Sequence, residues 1–188
     1  MLKRSLSLAI LCAAAPLAAW ADQPAASPFG YTYAEGGYLS ENPSGGGSDL
    51  TGVFVDGSYE LQPHWRLIGN FSNASCCGST DNRYGVGAGY YTDINSQLSF
   101  FADLSFLGQH VTNNGSHNGW GVDGGLRFVP VEKLELDGMV QHSDVNSTTE
   151  NTLGVKALYS LTNEWRIFAG YSNNSDENDF QIGVRYVF

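Results

Sequence analysis

Residues 180–188 read FQIGVRYVF, and every second residue in this stretch is large and apolar or aromatic. Successive side chains of an extended strand point to opposite faces, so this period of two divides the stretch into two faces. One face carries Phe180, Ile182, Val184, Tyr186 and Phe188, and the other carries Gln181, Gly183, Arg185 and Val187. The pattern predicts a β-strand with one apolar face and one mixed face that includes a charge.

The same period recurs along the chain from Tyr31 onward. Each segment is about as long as the 9–11 residues that a tilted strand needs to cross a bilayer. Ten such segments lie at 31–40, 50–61, 65–73, 82–92, 97–109, 119–129, 134–143, 151–160, 165–173 and 179–188. We therefore predict an all-β fold, a transmembrane antiparallel up-and-down β-barrel of ten strands. Eight strands is the alternative if the weakest segments do not pair.

The connections between these segments alternate in length. Short ones lie at 62–64, 93–96, 130–133 and 161–164, and longer polar ones lie at 41–49, 74–81, 110–118, 144–150 and 174–178. In outer-membrane barrels the short turns face the periplasm, so we expect periplasmic termini and longer loops outside the cell. The long loops contain no Lys or Arg, and their acids, including one at a strand edge, are Glu41, Asp49, Asp81, Asp144, Glu150, Asp176, Glu177 and Asp179. We therefore predict acidic, polar extracellular loops.

The charged residues within the segments share one face of each strand. A Lys or Arg that faces lipid at the bilayer midplane costs about 2–4 kcal/mol, so the lipid-facing surface has to be free of charge. We therefore assign the charged face to the lumen, where opposite charges can pair across the barrel. In the first segment this choice points Glu35 inward and Tyr38 outward. The predicted lumen charge network consists of Glu35, Asp56, Glu60, Arg66, Arg83, Asp103, Asp123, Arg127, Glu135, Asp137, Lys156, Arg166 and Arg185.

Aromatic residues lie near the ends of the segments, at the depth where membrane interfaces favour Trp and Tyr. The predicted aromatic girdles contain Trp65, Trp120, Trp165, Tyr59, Tyr159 and Tyr186. The terminal Phe188 follows four alternating apolar positions and resembles the assembly signal of outer-membrane barrels. We therefore expect periplasmic chaperones and the barrel-assembly machinery as partners during export, and outer-membrane lipid and lipopolysaccharide as the final surroundings.

The first 21 residues have the features of a secretory signal. Lys3 and Arg4 precede an apolar run at 6–17, and Ala19-Trp20-Ala21 provides small residues for cleavage. The predicted organisation is a signal peptide at 1–21, a short periplasmic segment at 22–29 and a barrel at 30–188. This organisation predicts the outer membrane of a Gram-negative bacterium as the location.

Composition excludes several classes of function. The formal net charge is −10, and because nucleic acids require a basic face, we expect no nucleic-acid partner. Cys76 and Cys77 are adjacent, and in an oxidising compartment they permit either a vicinal disulfide or an intermolecular bridge. There is no second Cys pair and no His pair at ligand spacing, so we predict no metal and no cofactor.

The residues that come nearest to a catalytic set lie at the predicted outer rim. They are His142, Ser143 and Asp144, together with His110, Ser116 and His117 in and around the preceding loop. A general base has to lie within hydrogen-bond reach of its nucleophile, whereas neighbours in a strand point to opposite faces. His142 and Ser143 therefore cannot share a pocket directly, although His142 and Asp144 have the same parity. We predict no enzyme activity.

The stretch Tyr31-Thr-Tyr-Ala-Glu-Gly-Gly-Tyr38 resembles the first strand of a small outer-membrane family of xanthomonads and their relatives, which is regulated by a diffusible signal factor. The layout of the whole mature chain resembles small bacterial outer-membrane barrels of the OmpA/OmpX-like group. Neither family has assigned catalytic residues, so the resemblance implies a barrel without enzymatic function.

Two functions agree with this layout. The first is a structural or surface-interaction barrel, which meets an unknown surface partner through its loops. The alternative is a narrow ion or solute pore, because a ten-stranded barrel is wider than an eight-stranded one, whose interior is just filled by side chains. Gly85, Gly87 and Gly89 lie on the lumen face and make room there for facing side chains. The pairing of the lumen charges depends on strand register, so the sequence leaves both functions open.

Overall fold

The computed structural model describes residues 27–112 and 114–188. The predicted signal peptide at 1–21 and residues 22–26 of the predicted periplasmic segment lie outside the described residues. The described chain contains no helix that is long and apolar enough to cross a membrane. It forms ten strands: β1 (Tyr33–Pro43), β2 (Leu50–Gln62), β3 (Trp65–Cys76), β4 (Ser79–Asn95), β5 (Leu98–Val111), β6 (Gly115–Val131), β7 (Leu134–Val145), β8 (Thr148–Ser160), β9 (Trp165–Asn173) and β10 (Glu177–Val187).

Each strand pairs antiparallel with its neighbours in the chain, and β1 also pairs with β10 to close the barrel. The closing register runs from Tyr33 opposite Val187 to Pro43 opposite Glu177. Closure gives both edge strands a hydrogen-bonding partner, which backbone groups in a bilayer require because no water is present there. The predicted ten-stranded, up-and-down β-barrel is confirmed, and the eight-stranded alternative is wrong.

The two ends of the barrel differ in what they contain. The terminal rim, as we call it, holds both ends of the described chain and the connections at 63–64, 96–97, 132–133 and 161–164. The distal rim holds the connections at 44–49, 77–78, 112–114, 146–147 and 174–176. The periplasmic position of the terminal rim stays a prediction.

The long loops predicted for the distal rim are wrong in extent, because the strands continue through most of them. β3 and β4 pair as far as Cys76 opposite Ser79, which leaves a turn of Cys77 and Gly78. These two turn residues have φ angles of 57° and 86°, and positive φ at both positions suits the two-residue hairpin turn that matches strand twist. Beyond the bilayer both faces of a strand are polar, so the alternation that marks a strand disappears while the backbone pairing continues.

The outward face of the barrel is an apolar belt bounded by aromatic rings. On β9 the outward side chains run from Trp165 through Ile167 and Ala169 to Tyr171, and all four are exposed. Aromatic pairs bound the belt in the same way on five other strands, at Trp65 and Phe71, Tyr90 and Tyr84, Phe100 and Phe106, Phe128 and Trp120, and Tyr186 and Phe180. An exposed apolar surface of this extent is unfavourable in water and suits contact with lipid.

Candidate functional site in the lumen

The structure places the predicted network residues on the inward face of the wall. Seven of them are buried, namely Glu35, Arg66, Asp103, Arg127, Glu135, Arg166 and Arg185. Five more line the interior cavity, namely Asp56, Arg83, Asp123, Asp137 and Lys156. Glu60 lies on the same face of β2 as Asp56, nearer the terminal rim, and is partly exposed. The network divides into three groups, which lie at different heights in the barrel.

The largest group, the terminal cluster, joins strands from both sides of the barrel. It consists of Glu35, Arg127, Glu135, Asp137, Lys156, Arg166 and Arg185. Glu135 is at its centre: its Oε1 accepts a hydrogen bond of 2.7 Å from Nε of Arg127, and its Oε2 contacts Nη1 of Arg166. Nη1 of Arg185 lies 3.6 Å from the same carboxylate. One buried carboxylate therefore faces three guanidinium groups.

A second carboxylate supplies the charge that the centre of this cluster lacks. Oε2 of Glu35 accepts a hydrogen bond of 2.6 Å from Nε of Arg185, and Oε1 accepts one of 2.5 Å from Nζ of Lys156. Asp137 adds a third carboxylate, with Oδ1 3.6 Å from Nε of Arg127. Buried charges are tolerated only where partners of opposite sign compensate them, and in this cluster four cationic and three anionic groups are interleaved.

The second group is the ion pair between Arg66 and Asp103. The guanidinium donates two hydrogen bonds to the carboxylate, from Nε to Oδ1 at 3.1 Å and from Nη2 to Oδ2 at 2.6 Å. Two-point pairing of this kind fixes the relative orientation of both planar groups. The pair connects β3 to β5 across the intervening β4.

The end of the lumen at the terminal rim is filled by residues that precede β1. Phe29 and Tyr31 are 0% and 1% exposed, respectively. The backbone O of Phe29 accepts hydrogen bonds from Nη2 of Arg127 at 2.8 Å and from Nη1 of Arg166 at 3.4 Å. Phe29 is the last residue of the predicted periplasmic segment at 22–29, and nothing in the sequence indicated that it would enter the barrel.

Tyr31 is held by its ring and by its hydroxyl group. The ring stacks on Tyr91 with centroids 3.7 Å apart, and its hydroxyl shares a hydrogen bond of 2.8 Å with Oγ of Ser99. The guanidinium carbons of Arg66 and Arg127 lie 4.9 Å and 4.6 Å from the ring centroid. These distances suit cation–π attraction, so the charges of the lumen also hold the aromatic ring.

The third group surrounds Arg83 near the distal rim. Its Nη1 lies 2.8 Å from Oε1 of Glu177, and its Nε lies 3.0 Å from Oδ2 of Asp81. Nη1 also lies 3.6 Å from Glu41. Five acids assigned to loops from the sequence lie in strands instead, namely Glu41, Asp81, Asp144, Glu150 and Glu177, and Asp179 lies in β10 as predicted. Glu41 and Asp81 are buried inside the mouth, so the predicted acidic loops are largely an acidic inner wall.

A cavity of about 420 Å³ lies between these groups. Glu41, Glu177 and Asp179 line it toward the distal rim, and Arg127 and Arg185 line it at the other end. Glu135, Phe29 and Tyr31 are buried and do not line it. The cavity thus extends from the distal mouth to the terminal cluster, and buried side chains occupy the end of the lumen at the terminal rim.

The residues considered for catalysis are not assembled into a set. Ser143 is buried on the inward face, whereas the exposed His142 hydrogen-bonds Asn151 outside, with 2.8 Å between Nδ1 and Oδ1. Nδ1 of His110 lies 2.8 Å from Oγ of Ser116, and Nε2 of His117 lies 3.1 Å from the backbone O of Asn114. The described chain groups no three His, Cys, Asp or Glu side chains in a way that suits a metal ion.

The other predicted site residues lie on the outside of the barrel. Trp165 and Tyr186 meet edge-on with centroids 4.9 Å apart, and Tyr186 meets Phe188 at the same distance. The predicted girdle residues Trp65, Trp120, Tyr59 and Tyr159 are all exposed on the outward face. At the distal rim, the sulfur atoms of Cys76 and Cys77 are joined as a disulfide.

A closed antiparallel barrel with an apolar belt outside and paired charges inside defines a class of protein, the transmembrane β-barrels of the bacterial outer membrane. The comparison of sequences agrees with this class. A family model described as "Outer membrane protein beta-barrel domain" matches residues 5–188. The chain belongs to this family, and its location is therefore the outer membrane of Gram-negative bacteria. The narrower resemblance to the xanthomonad family stays a prediction.

Similar solved structures are small outer-membrane barrels. A structure titled "KdgM porin" has a TM-score of 0.51 at 16% identity and covers 83% of this chain and 99% of its own. Ail of Yersinia pestis has a TM-score of 0.42 at 15% identity, and the match covers 85% of this chain and 99% of that structure. Neisserial surface protein A has a TM-score of 0.43 at 17% identity, and the match covers 84% of this chain and 96% of that structure. A search of curated proteins gives no significant match. These likenesses concern the fold alone.

Proposed function

We propose that this outer-membrane barrel is closed in its resting state and acts through its distal mouth, as a structural and surface-interaction barrel. The observation that carries the proposal is the complete burial of Phe29 and Tyr31 at the terminal end of the lumen. An ion that crossed the barrel would have to displace these rings. It would also have to separate Glu135 from its guanidinium partners.

The energetics of buried charge support a closed lumen. Separating a buried ion pair without replacing it leaves an uncompensated charge, which typically costs about 3–5 kcal/mol. The three guanidinium groups around Glu135 all lie within 4 Å of it, so a passing ion would meet several such costs in succession. The paired charges therefore act as a seal and stiffen the wall.

The distal mouth is the part of the lumen that remains open to a partner. Its inner wall carries Glu41, Asp81, Glu177 and Asp179 around the guanidinium of Arg83. Such a surface attracts cationic groups and repels anions. With the terminal rim in the periplasm, this mouth faces outside, where its partner would be a molecule or protein segment that carries positive charge.

Conductance of the refolded protein in a planar lipid bilayer tests the proposal. We expect folded, inserted barrels without discrete conductance steps, and the same silence for the Arg127→Ala variant. Discrete steps in the wild-type protein that change in amplitude or ion selectivity with Arg127→Ala would overturn the proposal. They would make the lumen a narrow, charge-selective pore.

The pore is the second candidate, and one observation favours it. The cavity of about 420 Å³ shows that wall side chains alone do not fill the lumen, as expected for a barrel wider than eight strands. A catalytic function is not part of the proposal. Turnover of lipid A or of a peptide that is lost in His142→Ala would overturn that expectation.

A further inference from the structure

We propose that residues 27–32, the N-terminal segment, form a removable plug, so that the barrel has a closed state and an open state. This inference rests on the closed resting barrel proposed above and extends it to a second state. The structure holds the lumen shut at one end with a part of the chain that does not belong to the barrel wall. The N-terminal segment precedes β1, which begins at Tyr33.

The N-terminal segment has little backbone pairing with the wall. Its one backbone–backbone hydrogen bond to a strand or rim residue of the described chain runs from the N–H of Phe188 to the O of Thr32, at 3.1 Å. The β1–β10 ladder starts only at Tyr33 opposite Val187. The segment can therefore leave the lumen without breaking the ladder that closes the barrel.

The plug fills space at the terminal end of the lumen that the wall leaves open. Between the distal rim and the terminal cluster, wall side chains leave a cavity of about 420 Å³. In the terminal half, the corresponding space is occupied by the rings of Phe29 and Tyr31, which are fully buried. A ten-stranded wall is too wide to be filled by its own side chains, so removal of both rings would extend the cavity to the terminal rim.

The plug is held by polar contacts to its backbone and by the packing of its two rings against Tyr91 and Phe101. Hydrogen bonds reach the backbone O of Phe29 from Arg127 and Arg166, and Oγ of Ser58 donates one of 2.6 Å to the O of Tyr31. When the plug leaves, water enters the lumen and can satisfy these groups, while both arginines keep Glu135 as a partner. The cost of opening is therefore mainly the exposure of the two rings and the loss of their stacking.

Local geometry explains how a short segment inserts two rings. Gly30 lies between them with φ of 61°, a left-handed conformation that glycine adopts without steric cost. A Cβ at this position would lie 2.6 Å from Cγ1 of Val187. The glycine thus lets the chain turn closely past the end of β10 and aim Phe29 and Tyr31 inward.

Two plug variants test the inference by conductance in planar bilayers. One deletes residues 27–32, and the other is the double substitution Phe29→Ala and Tyr31→Ala, which keeps the backbone if the deletion fails to fold. The control is Tyr38→Ala, which removes an exposed aromatic ring from the outward face of β1. β-type circular dichroism and heat-dependent mobility in gels establish that each protein is folded.

We expect discrete openings in both plug variants and none in the wild type or in Tyr38→Ala. A wild type that conducts like the plug variants would overturn the closed resting barrel and the plug together. A silent wild type with folded but equally silent plug variants would overturn the plug alone, because the terminal cluster would then seal the lumen by itself.

A peptide with the sequence of the plug gives a second readout. A capped peptide SPFGYT, added to one compartment at a time, should block the deletion variant from one side only. The matched peptide SPAGAT lacks both rings and should leave the openings unchanged. Equal block by both peptides, or equal block from both sides, would show that the closure does not depend on the two rings entering at the terminal rim.

Discussion

A Cβ added to Gly89 would lie 1.7 Å from Oδ1 of Asp103. Gly89 lies opposite Arg66 on β3 and opposite Asp103 on β5. The ion pair between these two residues therefore passes directly over the glycine, because no side chain projects from β4 at that point. The absence of a side chain is what allows a contact between two strands that are not neighbours.

The first prediction is that Gly89→Ala weakens the barrel by displacing this ion pair. The added methyl group would occupy the position of a carboxylate oxygen that already accepts a hydrogen bond from Arg66. Forced overpacking of this kind costs about 1–3 kcal/mol. Urea unfolding in lipid vesicles measures the loss. The matched control is Gly138→Ala, since a Cβ there meets nothing within 4 Å. Equal unfolding midpoints for the two variants would contradict the argument.

The second prediction concerns Glu135, which compensates three guanidinium groups. Glu135→Gln keeps the size of the side chain but removes its charge, so Arg127 and Arg166 lose their shared counter-ion. Removing one partner of a buried ion pair typically costs about 3–5 kcal/mol of unfolding free energy, and we expect a loss of this order in the same unfolding experiment.

The control for this prediction lies on the same hairpin. Glu132 is exposed in the connection between β6 and β7, so Glu132→Gln should leave the unfolding free energy unchanged. If the two variants were equally stable, the charges of the terminal cluster would not contribute to the stability of the wall.

The sequence was sufficient to predict the strands and the direction of their side chains. Alternation is strong where one face meets lipid, because a charge such as Arg185 or Lys156 is too costly there. The partners of these charges were not predictable. Glu135 on β7 meets Arg185 on β10 only because the barrel closes, and closure brings together residues that are distant in the chain.

Two further features had no signal in the sequence. The distal strand ends are polar on both faces, so they look like loops even though their backbones are paired. The plug is a short segment around Gly30, too short to show a period; Phe29 was assigned to the periplasmic segment and Tyr31 to the start of the first strand. Tyr31 has the same parity as Glu35, so the inward assignment of Glu35 also predicts an inward Tyr31; it does point inward, but from outside β1.

The third prediction concerns Arg83, which lies among acids at the distal mouth. In Arg83→Ala, Glu41, Asp81 and Glu177 lose the cation that they share, and their mutual repulsion is no longer offset. We expect the variant to unfold at lower urea concentrations than the wild type at low ionic strength. Because salt screens charges that are accessible to solvent, the difference should shrink as NaCl is added.

Arg83→Lys is the matched variant for this series. Lysine keeps the charge but not the two-point contact with Glu177, which uses Nη1 at 2.8 Å and Nη2 at 3.2 Å. We therefore expect intermediate stability with a salt response like that of the wild type. A difference between Arg83→Ala and the wild type that did not change with salt would show that packing, rather than charge, accounts for the effect.

The fourth prediction places the aromatic girdles at the membrane interfaces. Trp165 bounds the apolar belt on the side of the terminal rim, and indole rings favour the headgroup region, where one edge meets water. In a variant with Trp165 as its single tryptophan, fluorescence should be quenched more by lipids labelled near the headgroup than by lipids labelled near the acyl end. The control carries its single tryptophan within the apolar belt of β5, introduced by Leu104→Trp at a position where the leucine is 60% exposed. In this control, lipids labelled near the acyl end should quench the fluorescence more strongly than lipids labelled near the headgroup. Stronger quenching of Trp165 by lipids labelled near the acyl end would show that the girdle does not lie at the interface. The belt bounded by Trp165 and Tyr171 would then not be the hydrocarbon-spanning part of the wall.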